Sequence, residues 1–96
     1  MPKILKLRKP IMAHGEEVSE LTFRDGTTAD IINNGLPITF YVTENDDMQE
    51  AKINMSVITK MIVDLAGIPK SSVKEMDKED FIEAVGIVTS FFGQTP

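Results

Sequence analysis

A strand, a turn and a helix start follow one another within Glu20–Ile31, and this segment constrains the fold more than any other. Leu21 and Phe23 are separated by one residue, so their side chains lie on the same face of an extended segment. Gly26 then ends the strand, because glycine accepts backbone angles that a side chain forbids. The segment therefore predicts a β-strand that leads into a helix.

Two predicted helix starts carry capping residues. Thr27 is a favourable N-cap, and Asp30 follows at the spacing of a capping box, where its charge also suits the first helical turn. Asp77 and Asp80 repeat this spacing at the start of the last predicted helix. We therefore predict Thr27, Asp30, Asp77 and Asp80 as structural caps. Thr27→Ala is expected to cost more stability than Asp30→Ala.

The residues before this segment predict its partner strand. Alternating apolar residues indicate a strand over Lys3–Lys9, which Pro10 confines to a sheet edge or ends. Ala13–Glu16 is the predicted hairpin tip, and Val18–Phe23 returns. A lone hairpin is marginal in water, so the segment from Pro37 to about Val42 is predicted as a third strand against it.

The rest of the chain predicts helices. A short helix closed by Asn34-Gly35 is expected over Thr28–Asn33, and a long one that ends before Gly67 is expected from Asp46 or Asp47 to about Ala66. A short turn follows over Ser71–Glu75, where Ser72 and Glu75 have the spacing of a capping box, and a final helix begins after Asp77. The long helix rests on apolar residues at spacings of three and four: Met48, Ala51, Met55, Ile58, Ile62 and Leu65.

These elements predict an α+β fold in a single domain over residues 1–96. An N-terminal β-hairpin or small antiparallel sheet is followed by three to four helices packed on one face. The hairpin, the short helix and the possible third strand fall in residues 1–43, and the helical part falls in residues 44–96.

Composition excludes several classes of partner. The net charge of −5 disfavours non-specific binding to nucleic acid, which needs a basic surface. No apolar run approaches the roughly 18 residues that a membrane span needs. The chain has no cysteine, so a disulfide framework and a thiolate metal site are both excluded.

The residues offer no catalytic constellation. His14, the single histidine, falls in the predicted hairpin tip without a positioned partner. The acids over Glu44–Asp47 lack the alternation and the glycine of a calcium loop, and Asp77 and Asp80 are explained by capping. We therefore expect no catalytic residues, no cofactor, no metal, no small-molecule substrate and no enzymatic activity.

Methionines and one phenylalanine are the candidate partner-binding residues. Met48, Met55 and Met61 lie along the predicted long helix, and methionine packs adaptably against apolar segments of a partner. Filling of the core is the alternative role for these side chains. In the last helix Phe92 continues the apolar stripe of Phe81, Val85 and Val88, which Ile82 widens, whereas Phe91 lies about 100° away and is predicted to point to a partner.

The whole pattern resembles the small tail assembly chaperones of contractile-tailed, Mu-like phages. Gly26 stands where that family usually has proline, and the stretch over residues 33–46 is longer and more apolar. The residues that carry the resemblance are Leu7–Ile11, Gly15, Glu20, Leu21, Thr22, Arg24, Thr27, Asp30, Leu65–Pro69, Asp77, Asp80, Phe81 and Phe91–Gly93.

The resemblance implies a function and a setting. A protein of this family binds the tape measure protein and keeps it soluble until the tail tube assembles. It acts in the cytoplasm of the host bacterium, whether for a phage or a prophage, and is absent from the mature particle. The family also implies a longer form made by ribosomal frameshifting as a further partner, and self-association of this chain is a second possibility.

Two other classes remain open at the level of sequence. One is a small acidic regulator or adaptor that acts without nucleic acid; a nucleic-acid-binding version would use the two helices around residues 67–77, against the acidic balance of the chain. The other is a minor structural component that stays in the finished tail.

Overall fold

The structure, a computed structural model, describes residues 2–42 and 49–92, which form two strands, a helix, two more strands and three helices in that order. The elements are β1 (Lys3–Ala13), β2 (Glu16–Phe23), α1 (Thr28–Asn34), β3 (Ile38–Val42), β4 (Gln49–Ile53), α2 (Met55–Ala66), α3 (Lys70–Glu75) and α4 (Lys78–Phe92). The fold is α+β, with an N-terminal antiparallel hairpin followed by helices, as the sequence predicted. Within the described residues, no helix has the length and apolar character to cross a membrane.

The first hairpin turns at the predicted tip. His14 and Gly15 have φ values of 54° and 79°, the left-handed angles that a type I′ turn requires. Strands β1 and β2 pair antiparallel on either side of this turn. Their inward side chains are buried, and they are Leu5, Ile11, Ala13, Leu21 and Phe23.

A large bulge interrupts β1 at the proline. Lys6 lies opposite Glu20 and Ile11 lies opposite Val18, so the four residues Leu7–Pro10 face a single residue of β2. Pro10 was predicted to confine or end the strand. The first alternative is confirmed: β1 is an edge strand of a two-stranded sheet and continues past Pro10 to Ala13, because a residue inside a bulge needs no ladder N–H.

A second hairpin corrects two predictions. β3 was expected to join the first hairpin, but it pairs antiparallel with β4, with Ile38 opposite Ile53. The residues of β4 were assigned to the long helix, which in fact begins only at Met55. Gln, Glu, Ala and Lys have high helix propensity, yet the open hydrogen-bonding edge of β3 decides the conformation of this segment. The hairpin therefore crosses the predicted boundary between residues 43 and 44.

Apart from the start of α2, the helix ends follow the sequence signals closely, with one exception. Gly35 and Gly67 close α1 and α2 with positive φ values of 94° and 68°. The exception is α3, where Ser72 was predicted to form a capping box with Glu75. The N-cap of α3 is Pro69, without a side-chain cap, and the Ser72 hydroxyl donates to the carbonyl of Met12 in β1.

One core joins the first hairpin to the helices. The fully buried face of α2 is formed by Ile58, Met61 and Ile62. In α4 the buried residues are Asp80, Ala84 and Val88, so its core face is rotated from the predicted stripe of Phe81, Val85, Val88 and Phe92. Ile82, expected to widen that stripe, is 60% exposed. The rotation follows from the burial of Asp80, a residue type that sequence patterns assign to the surface.

Candidate functional site

Arg24 and Asp30 form an ion-paired cluster where β2 passes into α1. The two guanidinium nitrogens of Arg24 donate to the two carboxylate oxygens of Asp30 at 3.0 and 2.9 Å. The backbone N–H of Thr27 also donates to Asp30 Oδ2, at 2.9 Å, and the Asp30 N–H donates to Thr27 Oγ1. Thr27 is the N-cap of α1, and both bonds of a capping box are present.

This cluster holds Asp30 in its charged form. The hydrogen bonds from Arg24 lower the pKa of Asp30 to about 2, against the opposing effect of burial and with help from Thr27. The N–H of Arg24 also donates to the carbonyl of Leu65 near the end of α2, at 3.1 Å. The cluster therefore joins the end of β2 to two helices.

A second ion-paired cluster fixes the bulge of β1 to the start of α4. Asp80 has a fully buried side chain, and its Oδ2 accepts the backbone N–H groups of Arg8, at 2.9 Å, and Lys9, at 3.3 Å. Its Oδ1 accepts from the Arg8 guanidinium at 3.0 Å. Arg8 reaches Glu83 at 2.7 Å as well, and Lys9 lies 3.5 Å from the carboxylate of Asp77.

Asp80 therefore does more than begin a helix. It was predicted as the partner of Asp77 in a capped start, and Asp77 Oδ2 does accept the N–H of Glu79 at 3.2 Å. The Asp80 carboxylate instead satisfies two N–H groups that the bulge removes from the β ladder. Burial alone would raise the pKa of Asp80, but the N–H groups of Arg8 and Lys9 and the Arg8 guanidinium hold it below its usual value.

Neither cluster has the composition of a reactive centre. Both carboxylates are saturated by donors, and neither lies beside a histidine. His14 is exposed, and its Nε2 lies 3.1 Å from the carbonyl oxygen of Gly67. Within residues 2–42 and 49–92, no group of three or more histidine, cysteine or acidic side chains is placed to hold a metal ion.

The two candidate methionines that the structure describes, Met55 and Met61, lie in different environments. Met61 is fully buried in the core, so it fills the interior and is not available to a partner. Met55 begins α2 and is 49% exposed, whereas Met48 lies outside the described residues. Met61 follows Ile58 by three residues and precedes Leu65 by four, so it lies on the same buried face of α2 as the predicted core residues Ile58, Ile62 and Leu65.

The contrast between the two terminal phenylalanines is also wrong. Phe91 and Phe92 are both half-buried, and both pack against the core. A side chain at Gly26 would overlap the ring of Phe92, so that ring covers the turn between β2 and α1. Phe91 lies along the rotated core face with Ala84 and Val88, and it is therefore not a separate anchor for a partner.

Two exposed features on the helical side were not predicted. One is a groove between α2, α3 and α4, which adjoins a smaller cavity because Thr59 and Lys70 line both. We call this the lysine groove; its half-buried or buried apolar lining is Val63, Val73, Met76 and Phe81, and its exposed lysines are Lys60, Lys70, Lys74 and Lys78.

The other feature is an apolar patch at the base of the second hairpin. It gathers around Asn54, whose side-chain amide donates to the Leu36 carbonyl at 2.9 Å. Leu36, Ile53 and Met55 are each about half exposed there. Sequence reasoning placed Ile53 and Met55 inside a long helix, so the pattern offered no signal for this surface.

The fold and these surfaces define a small α+β protein whose first hairpin is bound to α4 through Asp80, with no reactive centre among the described residues. Residues 5–93 match the family model described as phage tail assembly chaperone proteins E, 41 or 14. The chain therefore belongs to the phage tail assembly chaperone family, a non-catalytic kind of protein. No curated protein and no solved structure matches it.

Family membership agrees with the resemblance in the strand–turn–helix segment. Thr27 and Asp30 were chosen there from local spacing alone, and the structure adds Arg24 as their charged partner. Sequence reasoning missed Arg8 and the lysine groove. The proline in β1 was the available signal for a bulge, but nothing in the sequence indicated that Asp80, 72 residues from Arg8, would fill it.

Proposed function

We propose that this chain binds the tape measure protein of its own phage or prophage and keeps it soluble until the tail tube assembles. The observation that carries the proposal is the family match over residues 5–93. A tape measure protein is long, helical and apolar, so a chaperone for it needs exposed surface that accepts apolar segments. The lysine groove and the apolar patch around Asn54 are two surfaces of that kind among the described residues.

The finer features of the proposal come from the motif resemblance. They are a contractile-tailed, Mu-like parent phage, action in the host cytoplasm, absence from the finished particle and a longer frameshifted form as a second partner. The proposal includes no enzymatic step, because the buried carboxylates are engaged in hydrogen bonds, that of Asp30 to Arg24 and Thr27 and that of Asp80 to Arg8 and Lys9.

Co-expression tests the proposal directly. The chain is produced in bacteria together with the tape measure protein encoded near it, and the tape measure protein alone serves as the reference. We expect the tape measure protein to move from the pellet to the soluble fraction and to co-purify with a tag on this chain. A tape measure protein that stays insoluble, with nothing recovered on the tag, would overturn the proposal.

Mass spectrometry of purified particles separates the chaperone from a minor tail component. The chaperone proposal expects this chain in the assembly lysate and not in washed particles. A stoichiometric amount in the particles would favour the structural alternative. Retention on a heparin column at low salt would favour a nucleic-acid-binding regulator, which the net charge of −5 argues against.

A further inference from the structure

The lysine groove has a charge opposite to that of the protein as a whole. The chain carries a net charge of −5, yet Lys60, Lys70, Lys74 and Lys78 surround this one groove. Asp64 is the acidic residue in its lining, and the side-chain amide of Asn34 donates to it at 2.7 Å. The excess of positive charge at this site is therefore local and large.

The lysines of the groove form no ion pair with another described residue. Within the part of the chain that the structure describes, the ion pairs use Arg8, Lys9 and Arg24, and none uses a lysine of the groove. An exposed ammonium group without a carboxylate nearby remains available to a charged partner. Arg8 and Arg24 stabilise the fold through these ion pairs, whereas the groove lysines take part in none of them.

Between the lysines the lining is apolar. Half-buried Phe81 and the edges of Val73 and Met76 line the larger cavity, of about 400 Å³, and half-buried Val63 lines the smaller one. A narrow apolar floor with charged long side chains on its rim is suited to one face of an amphipathic helix, which places apolar residues at spacings of three and four into a groove.

We infer that the lysine groove binds an acidic amphipathic helix of a partner protein. The commitment to an acidic helix follows from charge complementarity, since four lysines and one aspartate line the groove of an otherwise acidic chain. A second copy of the chain, at net charge −5, is repelled electrostatically as a whole and is the weaker occupant. The inference rests on the proposed function, in which the helix belongs to the tape measure protein.

Model peptides test the groove without the tape measure protein. Two fluorescent helical peptides share one apolar face of leucine and alanine, and carry either glutamate or lysine on the polar face. Anisotropy titration at low salt should show binding of the acidic peptide to the intact chain and much weaker binding of the basic one. Added salt should weaken the acidic complex. Equal or tighter binding of the basic peptide would overturn the inference.

Variants of the groove locate the binding. The triple variant Lys70→Glu, Lys74→Glu and Lys78→Glu should weaken binding of the acidic peptide by about tenfold or more, since three favourable charges become repulsive. The matched control reverses Lys3, Lys6 and Lys52, which are exposed elsewhere and change the net charge equally. An equal loss in both variants would show that only the total charge matters, and would overturn the inference.

A substitution that fills the groove tests the binding site a second time without changing the charge of the protein. Thr59 lines both cavities, so Thr59→Trp should occupy the floor and abolish binding of the acidic peptide. Melting curves must show that each variant is folded. Full peptide binding by folded Thr59→Trp would place the helix elsewhere and sink the inference. Sedimentation that shows a dimer of the intact chain, lost in the triple variant, would assign the groove to a second copy and overturn it as well.

Co-expression with the tape measure protein separates the two proposals. If the intact chain solubilises the tape measure protein and the folded triple variant does not, both stand. If the triple variant works as well as the intact chain, the groove inference fails and the chaperone proposal survives. If the acidic peptide binds but the tape measure protein stays insoluble with the intact chain, the chaperone proposal fails alone.

Discussion

Asp30 is the third residue of α1 and Asp80 is the third residue of α4, and each pairs with an arginine, yet the two carboxylates stabilise different parts of the fold. Asp30 bonds to residues within six positions of it, Arg24 and Thr27. Asp80 bonds to Arg8 and Lys9, more than seventy positions away. One carboxylate completes a local turn, and the other closes the tertiary structure.

The difference teaches what capping motifs can conceal. At the start of α1 the Asp30 side chain serves its own helix, as the spacing predicts. At the start of α4 the same spacing is present, but the bulge in β1 presents two unpaired N–H groups, and Asp80 turns to them. A buried donor without a partner costs more than a weakened cap, so the distant contact prevails.

The largest expected effect is that of Asp80→Ala. It leaves the N–H groups of Arg8 and Lys9 without an acceptor beside a new cavity, so the free energy of unfolding should fall by about 3 kcal/mol. Urea denaturation measures the change. Glu79→Ala is the control, since the Glu79 side chain is 66% exposed and should matter little. Similar midpoints for the two variants would remove the distinction between local and tertiary carboxylates.

Acid should weaken both clusters in the same direction. The pKa of Asp30 is lowered to about 2 in the folded protein, so its contribution is present above the unfolded pKa and is lost as the pH falls from about 4 towards 2. A shift of this size corresponds to about 2 kcal/mol of unfolding free energy. The lowered pKa of Asp80 acts with the same sign.

The contribution of Asp30 to acid sensitivity can be separated from that of Asp80 by removing one titrating group at a time. Urea midpoints between pH 5 and pH 2 should vary less in Asp30→Asn than in the parent, with exposed Glu17→Gln as the control. If the Asp30→Asn curve has the full acid dependence of the parent, the charged state of Asp30 is not what stabilises the turn.

The third prediction concerns the end of α4, which reaches the local cluster. Gly26→Ala should cost about 1–2 kcal/mol, because the new methyl group meets the ring of Phe92. In a Phe92→Ala background the same substitution should cost much less, and a double-mutant cycle in urea measures this coupling. Additive costs would show that the ring of Phe92 does not rest on the turn, and that α4 joins only one of the two clusters.

The sequence predicted what short-range physics decides. The turn at His14-Gly15, the cap at Thr27 and the glycine ends of α1 and α2 each depend on residues close in the chain. The burial of Asp80 and the pairing of β3 with β4 depend on partners far away or on an open strand edge. Local patterns contain no information about either, so the apolar stripe of a long helix was extended across β4, and Asp80 was assigned only a capping role at α4.

The candidate site shows the same division. Met61 was a candidate for partner binding because methionine packs adaptably, but it lies on the buried face of α2 with Ile58 and Ile62 and takes the alternative role of filling the core. The lysine groove draws residues from three helices, and their approach follows from packing of the core and not from any local pattern. The first hairpin could be read from the sequence, and the surfaces available to a partner could not.

The smallest expected effect belongs to Thr27. The contacts lead us to expect that Asp30→Ala destabilises the protein more than Thr27→Ala, the opposite of the order expected from sequence. Asp30 accepts hydrogen bonds from Arg24 and from the Thr27 backbone, whereas the Thr27 hydroxyl contacts Asp30 only, at 3.1 and 3.4 Å. Thr27→Ala should therefore cost about 1 kcal/mol and Asp30→Ala more. Thr27→Ser should restore stability, since it keeps the hydroxyl. Urea midpoints for the three variants, with exposed Thr28→Ala as the control, measure the order. A larger loss of stability for Thr27→Ala than for Asp30→Ala would mean that the hydroxyl cap, and not the ion pair, stabilises the turn. The two carboxylate clusters would then share only the position of the aspartate in its helix.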